Sequence, residues 1–256
     1  MAWAQQGITL IDVTGPDFTR FQEGSLTIRP MAQGLHTLTF SFDVQGKRMG
    51  VRAYTVTQGV WCRGLLSTEY GVDPDKVTWV LVDEEHVQEF KYPPNVVTAD
   101  RGKTLAGILA SGEVDACIGA GQVDSPDVKP LIPDARNAEV EWSRRVGYTP
   151  INHVIVVKNS LLESDPWVAP ALFEAFKAGK ERSLARIKAQ GGSTPSDQNV
   201  LRNIEIMGGG DPLPFGIEPN RKAFEAVIAH AHKQHILPRI YQPEELFAAN
   251  TIGLVG

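Results

Sequence analysis

The stretch from Gly46 to Tyr70, GKRMGVRAYTVTQGVWCRGLLSTEY, predicts a buried strand, a polar turn and an amphipathic helix in succession. We expect the strand at 48–52, the turn at 53–58 and the helix at 59–70. A strand that leads through a polar turn into a helix brings free backbone N–H groups and the positive end of the helix dipole to one point. Such a point suits an anion, for example a carboxylate or a phosphate.

Four side chains strengthen this prediction of an anion site. Thr55 and Thr57 place hydroxyl groups at the expected N-cap, and Arg52 and Arg63 add positive charge nearby. The structural alternative is an ordinary strand-to-helix turn with a threonine cap, because caps are far commoner than ligand sites. The residues of the turn leave both interpretations open.

The segments that follow extend this unit into a sheet. VTWVLV (77–82) and VDACIG (114–119) are continuous apolar runs, typical of strands buried in a parallel sheet. Residues 103–111 predict a helix between them, and Gly112 stands at its expected C′ position. The resulting β-α-β-α-β order predicts an α/β fold with a mostly parallel, helix-flanked sheet.

The rest of the chain gives weaker local signals. We predict strands at 8–13, 25–29, 36–42 and 152–158, and helices near 138–145, at 165–190 with a break near Gly179, at 220–234 and at 243–250. We predict loops at 83–102, 191–197 and 208–216, and an irregular crossing over much of 120–149.

Composition narrows the class of protein. The 256 residues carry a net charge of −5, which argues against nucleic acid as a general partner. No apolar run is long enough to span a membrane. Cys62 and Cys117 show no metal-binding spacing and fit small core residues in a reducing compartment. Residues 1–13 lack the pattern of a signal peptide, so we expect a cytoplasmic location, or a periplasmic one if the true start lies upstream with a signal peptide.

Several segments, taken in chain order, resemble the 4,5-dihydroxyphthalate decarboxylase family. The resemblance covers roughly residues 18–250. It is carried by GKRMGVRAYTVTQGVWCRGLL (46–66), YGVDPDKVTWV (70–80), DEEHVQEF (83–90), LASGEVDACIG (109–119), INHVIVVK (151–158), DPLPFGIEPNRKAFEAVI (211–228) and ILPRIYQPEELFA (236–248).

This resemblance implies a periplasmic-binding-protein-like fold of two lobes, with a ligand cleft between them. On that basis residues 1–45 form the remainder of lobe one, 46–149 form lobe two, and 150–256 return to lobe one and add C-terminal helices. RFQEGSLTI (20–28) resembles a segment well inside lobe one. We therefore expect part of the N-terminal lobe to be missing, and a homo-oligomer to cover the apolar surface that remains.

The resemblance also implies a reaction, the conversion of 4,5-dihydroxyphthalate to 3,4-dihydroxybenzoate and CO₂. Such a site needs donors for the spared carboxylate, a group that stabilises the ionised ring hydroxyl, and a proton donor at the ring carbon. No organic cofactor is required; a divalent metal is compatible with the chemistry but not indicated. The alternatives are a solute-binding protein that delivers a small carboxylate or aromatic anion to an ABC transporter, and a non-catalytic remnant.

Two histidines are the candidate proton donors. His86 follows a predicted strand, and neighbouring carboxylates such as Glu85 would raise its pKa, which makes both residues catalytic candidates. The alternative for His86 is an exposed histidine in a solvated acidic loop. His153 opens the predicted strand 152–158 and would face the cleft, and its alternative is a hydrogen-bonded core histidine.

The candidate substrate-binding residues are Arg52, Tyr54, Thr55 and Thr57 of the turn, with Arg20 from the other lobe. We predict no metal site. His230 and His232 fall on the predicted helix 220–234 and His235 follows it directly, but the first two point to nearly opposite sides of the helix.

Overall fold

The computed structural model of the chain describes residues 44–121, 123, 125, 127–132 and 134–256, and the backbone of strands at 8–11, 27–30 and 36–39. The chain divides into two compact units. The N-terminal unit contains the described residues up to Ala135 together with Gln234–Ile236, and the C-terminal unit contains Arg136–Lys233 and Leu237–Gly256.

A six-stranded sheet is the centre of the N-terminal unit, and its strands lie in the order β6-β5-β4-β7-β1-β8. Strand β4 is central and runs parallel to β5 and β7, and β5 runs parallel to β6, whereas β1 is antiparallel to both β7 and β8. The strands are β1 (Ile8–Ile11), β4 (Arg48–Val51), β5 (Thr78–Leu81), β6 (Val96–Thr98), β7 (Ala116–Ile118) and β8 (Val128–Pro130), and β2 (Thr27–Pro30) pairs separately with β3 (His36–Thr39).

Strands β4, β5 and β7 are buried on both faces, as the continuous apolar runs predicted, whereas the edge strand β6 is partly exposed. On one face Trp79 and Leu81 pack in a cluster with Cys62 and Leu66 of helix α1 (Thr57–Tyr70). On the other face, alternate residues of the same strands pack against helix α2 (Leu105–Ala110). The predicted mainly parallel, helix-flanked α/β sheet is therefore confirmed.

Gly50 explains how β4 and α2 come so close together. A Cβ at this position would lie 2.6 Å from Cys117 Sγ and 3.1 Å from Leu105 Cδ2. The side of β4 that faces α2 therefore has room for backbone only.

The described part of the C-terminal unit is helical. Its helices are α3 (Ala135–Val146, whose first residue falls in the N-terminal unit), α4 (Asn159–Ser164), α5 (Val168–Gln190), α6 (Pro195–Ile206) and α7 (Ile217–Lys233), followed by 3₁₀ turns at Pro243–Leu246 and Ala249–Thr251. None of the helices in the described ranges is long and apolar enough to cross a bilayer.

The predicted strand at 152–158 is wrong. Residues 151–158 form neither a strand nor a helix, and Val154, Ile155 and Val156 are 51%, 59% and 86% exposed. Within the described part of the chain, residues 152–157 make no backbone hydrogen bond. A β-branched run has the propensity for a strand, but a strand forms only where a second strand supplies hydrogen-bond partners.

Four other predictions differ from the structure. Helix α5 passes through Gly179 without a break, because the cost of one helical glycine is only about 1 kcal/mol. Helix α6 begins inside the predicted loop 191–197, where Thr194 and Asp197 form a capping box. Strand β6 lies in the predicted loop 83–102, and β8 lies in the predicted irregular crossing.

Candidate functional site

The carboxyl ends of β4, β5 and β7 meet at one edge of the sheet, because the three strands are parallel neighbours. Ligands of open α/β sheets bind at this edge. The turn after β4 (residues 52–56) contacts the loop after β5 (residues 82–95) here. Asp83 N–H donates to the Arg52 carbonyl at 2.8 Å, and Arg52 Nε lies 3.6 Å from Asp83 Oδ2.

Glu85, in the loop after β5, places its carboxylate on this turn. The backbone N–H of Tyr54 donates to Glu85 Oε1. The backbone N–H and the hydroxyl of Thr55 donate to Glu85 Oε2 at 3.1 and 2.5 Å. The donors of the turn are therefore occupied by a carboxylate of the protein itself, and the binding of a ligand anion there stays a prediction.

The alternative of a simple threonine cap is wrong. Helix α1 begins at Thr57, and its N-cap is Val56, which has no side-chain hydrogen bond to the helix. The hydroxyl of Thr55 is directed to Glu85 instead of the helix N–H groups. Thr57 is the first helical residue and is half-buried.

Arg63 of α1 fixes the orientation of the turn from beneath. Its side chain is buried, and Nη2 donates to the Tyr54 carbonyl at 2.5 Å while Nε donates to Gln234 Oε1 at 2.7 Å. The carbonyl of Tyr54 and the N–H of Thr55 belong to the same planar peptide. By holding the carbonyl, Arg63 directs the N–H of Thr55 towards Glu85.

The charge of Arg63 also acts on this site. Burial lowers its pKa to about 10, and the nearby Tyr54, Cys62 and Glu85 side chains partly offset that effect. Nη1 of Arg63 is buried without a hydrogen-bond partner among the described residues. A buried cation that no carboxylate of the described residues contacts directly creates a positive potential at the turn, which favours an anion there.

Aromatic rings line the same region. Tyr54 stacks on Phe90 with ring centroids 5.8 Å apart, and Phe90 meets Tyr92 edge-on at 6.0 Å. The pKa of Tyr92 is raised by burial and by the negative charge of Glu85, so its phenol stays protonated near neutral pH. The carboxylate site thus lies beside aromatic side chains, one of which can donate a hydrogen bond.

Gln58 connects the turn to the end of β7. A Cβ on Gly119, which has a φ of 80°, would lie 2.9 Å from Gln58 Oε1. The Nε2 atom of Gln58 is buried and has no hydrogen-bond partner within the described residues. The Gln58 amide can therefore donate a further hydrogen bond at the edge of the sheet where the parallel strands end.

The structure brings together four of the predicted site residues, Arg52, Tyr54, Thr55 and Glu85, on two adjacent segments. Tyr54 contributes its backbone N–H; its side chain is buried and its hydroxyl donates to the Gln234 carbonyl at 3.2 Å.

The predicted proton donors lie in different units. His86 follows Glu85 directly and is exposed. His153 belongs to the C-terminal unit and is exposed in the segment 151–158, so its alternative as a buried core histidine is wrong. Arg20 lies outside the described residues.

The histidines near the end of α7 have separate surroundings. His232 Nδ1 lies 3.1 Å from the Leu237 carbonyl, and His235 Nε2 lies 3.1 Å from Asp75 Oδ1. His230 is buried, and burial and Lys233 lower its pKa. Across the described ranges, no three His, Cys, Asp or Glu side chains are close enough to hold a metal ion.

The Gly/Pro loop at 208–216 is anchored to α5. Lys180 pairs with Asp211, and its Nζ lies 4.5 Å from the centroid of the Phe215 ring. A surface depression borders this loop, and another lies near Asn159 and Asn250. Neither depression contains a predicted site residue.

Sequence reasoning missed the aromatic residues and the occupant of the turn. Phe90 and Tyr92 stand in the otherwise polar stretch EFKYPP (89–94), and two aromatic residues there are a signal that could have been used. The pairing of Glu85 with Thr55 had no such signal, because 30 positions separate the two residues.

No family model matches the chain. A protein from Comamonas testosteroni named 4,5-dihydroxyphthalate decarboxylase is 34% identical over 220 residues, which are 80% of this chain and 67% of that protein. A protein of the same name from Pseudomonas putida is 35% identical over 119 residues, which are 42% of this chain and 46% of that protein. The chain thus spans about two thirds of the first relative and less than half of the second.

Proposed function

Because the chain belongs to the 4,5-dihydroxyphthalate decarboxylase family, we propose that it removes one carboxylate of 4,5-dihydroxyphthalate as CO₂. The product is 3,4-dihydroxybenzoate, and the enzyme is a carbon–carbon lyase of phthalate catabolism. The observation that carries this proposal is the carboxylate site at residues 52–56. Three donors of that turn converge on one carboxylate, beside aromatic side chains.

The chemistry starts at a ring hydroxyl. Each carboxylate of the substrate is para to one hydroxyl, so ionising that hydroxyl moves electron density to the carbon that carries the carboxylate. A proton is added to this carbon, the bond to the carboxylate breaks, and CO₂ leaves as the ring regains aromaticity. The reaction needs no organic cofactor.

In this proposal the turn binds the carboxylate that is retained. The N–H groups of Tyr54 and Thr55 and the Thr55 hydroxyl donate to it, and the buried charge of Arg63 stabilises it. His86, next to this turn in the adjacent loop, is the proposed proton donor to the ring carbon. Tyr92 is the proposed donor to the ionised ring oxygen, because its phenol remains protonated.

A two-lobed fold with the ligand in a cleft is part of the same proposal. The support is the similarity to the family, the division into two compact units, and the mainly parallel sheet in which β1 is antiparallel to β7. His153 stays a proposed catalytic residue of that cleft.

Incubation of the purified protein with 4,5-dihydroxyphthalate, with CO₂ and 3,4-dihydroxybenzoate followed together, tests the activity. Equimolar formation of both is the expected result. Tight binding of the substrate without turnover would contradict the proposal and favour a solute-binding protein.

The carboxylate site is tested by Thr55→Val. This change removes a hydrogen bond to a charged group, worth about 1.5–3 kcal/mol, but the same hydroxyl also donates to Glu85, so the contact of Glu85 with the turn weakens too. We therefore expect KM to rise roughly two- to twentyfold. The matched control is Thr78→Val at the opposite end of the sheet, where the threonine starts β5. His86→Gln should lower kcat by roughly a hundredfold or more if His86 is the proton donor. An unchanged kcat would remove this assignment.

A further inference from the structure

We propose that Glu85 occupies the position of a substrate carboxylate, and that it leaves the turn at residues 52–56 when the substrate binds. This inference rests on the proposed function. It assigns Glu85 the role of an internal competitor, whose release couples substrate binding to movement of the loop after β5.

The first argument is the way in which Glu85 is bound. One of its oxygens accepts from Tyr54 N–H and the other from the N–H and hydroxyl of Thr55. These are the bonds that a carboxylate ligand would make. Because both oxygens are engaged, a second carboxylate cannot use the same donors until Glu85 has left.

The second argument is electrostatic. Among the described residues Arg63 is the cation buried beneath the turn, and Glu85 is one of the groups whose charge acts on it. Two carboxylates close together repel each other, and one cation cannot neutralise both. The turn therefore holds either Glu85 or a ligand carboxylate, and the two exclude each other.

The third argument is that little else holds this part of the loop. Residues 84 and 86–89 are exposed, whereas Glu85 is half-buried. Of residues 84–89, Glu85 alone makes a side-chain hydrogen bond to another described residue. Displacing it breaks only the bonds that a ligand carboxylate then replaces, so the exchange needs little additional free energy.

The alternative is that Glu85 only stabilises the turn. In that case its removal would loosen the donors and weaken ligand binding. The two roles therefore predict changes of affinity in opposite directions.

Equilibrium binding of phthalate separates the two roles. Phthalate carries the two adjacent carboxylates without the ring hydroxyls, so calorimetric titration measures affinity independently of turnover. We expect Glu85→Gln and Glu85→Ala to bind phthalate about tenfold more tightly than the unmodified chain. A tenfold gain corresponds to an unmodified chain in which Glu85 occupies the turn roughly nine-tenths of the time, so that only about a tenth of the molecules can bind the ligand. Circular dichroism confirms that each variant is folded.

Glu84→Gln is the matched control. It removes the same charge one residue away, where the side chain is exposed and makes no hydrogen bond to another described residue. We expect its affinity for phthalate to change less than twofold. Equal tightening by Glu84→Gln and Glu85→Gln would overturn the inference, because the effect would then be general charge repulsion. Unchanged or weaker binding by both Glu85 variants would also overturn it.

The result is independent of the decarboxylase assay. If the unmodified chain converts 4,5-dihydroxyphthalate but the Glu85 variants bind phthalate no more tightly, the inference fails and the proposed function stands. If the Glu85 variants bind more tightly but no variant releases CO₂, the competition stands and the proposed reaction fails.

Discussion

Replacing Arg63 with methionine removes a buried cation while keeping a long, apolar side chain. The guanidinium donates to Gln234 Oε1 at 2.7 Å and to the Tyr54 carbonyl at 2.5 Å. It also lies 4.1 Å from the centroid of the Tyr54 ring. The substitution therefore tests how much of the stability of the N-terminal unit depends on this one group.

The expected loss follows from these contacts. Methionine leaves two buried acceptors without donors, at about 1–3 kcal/mol each. Gln234 cannot turn its amide to compensate, because its Nε2 already donates to the Val60 carbonyl at 2.8 Å. The lost contact with the Tyr54 ring costs about 2 kcal/mol. One contribution acts in the opposite direction. Burial lowers the pKa of Arg63 to about 10, which means that keeping the guanidinium charged in the folded state costs roughly 3 kcal/mol, and methionine does not carry this cost. We expect a net loss of about 3 kcal/mol in the free energy of unfolding.

Urea denaturation followed by circular dichroism measures this loss. Arg63→Lys should be destabilised to a similar degree, because an ammonium group cannot reproduce the planar fork that reaches both acceptors. Arg52→Met is the control, since its exposed ion pair with Asp83 is worth at most about 1 kcal/mol. A loss below about 1 kcal/mol for Arg63→Met, or an Arg63→Lys variant as stable as the unmodified chain, would refute this reasoning.

Three further predictions concern packing, pH and thiol chemistry. Gly50→Ala should lower the free energy of unfolding by about 1–3 kcal/mol, because the new Cβ would lie 2.6 Å from Cys117 Sγ. Adding Cys117→Ala should recover part of that loss, which a double-mutant cycle measured by urea denaturation would show. Arg186 lowers the pKa of Asp197, so the ionised carboxylate stabilises the folded state fully above its ordinary pKa near 4 and loses this effect as the pH falls further. The difference in free energy of unfolding between the unmodified chain and Asp197→Asn should therefore shrink between pH 5 and pH 2. Burial raises the pKa of Cys62 and of Cys117 to about 12, so a thiol-specific chromogenic reagent should label neither in the native protein and both after denaturation.

The parallel sheet could be predicted because its signal is local. Residues 77–82 and 114–119 are continuous apolar runs, and both faces of their strands are buried beneath α1 and α2. The C-terminal stop of α2 was equally local, since Gly112 has a φ of 73° after the C-cap Ser111. Features that depend on residues close together in the chain could thus be predicted from the sequence.

The features that failed depend on distant partners. The run at 152–158 has the residues of a strand, but no neighbouring strand pairs with it within the described part of the chain. The anion site at the turn was predicted from Thr55 and Arg63, whereas its occupation by Glu85 comes from a contact between two loops. Local pattern predicted which groups the turn offers, and only the tertiary structure could tell which group it holds.

The exposed apolar segment 151–158 bears on how the purified protein behaves in solution. Between His153 and Lys158 it contains four consecutive β-branched residues and no charge. Three of them are more than half exposed, and the backbone there has no partner in the described structure. Such a segment is a template for strand addition between molecules. Its tendency to aggregate rises with concentration and does not require the sheet of the N-terminal unit to unfold, so a preparation can lose material to precipitation well below its melting temperature.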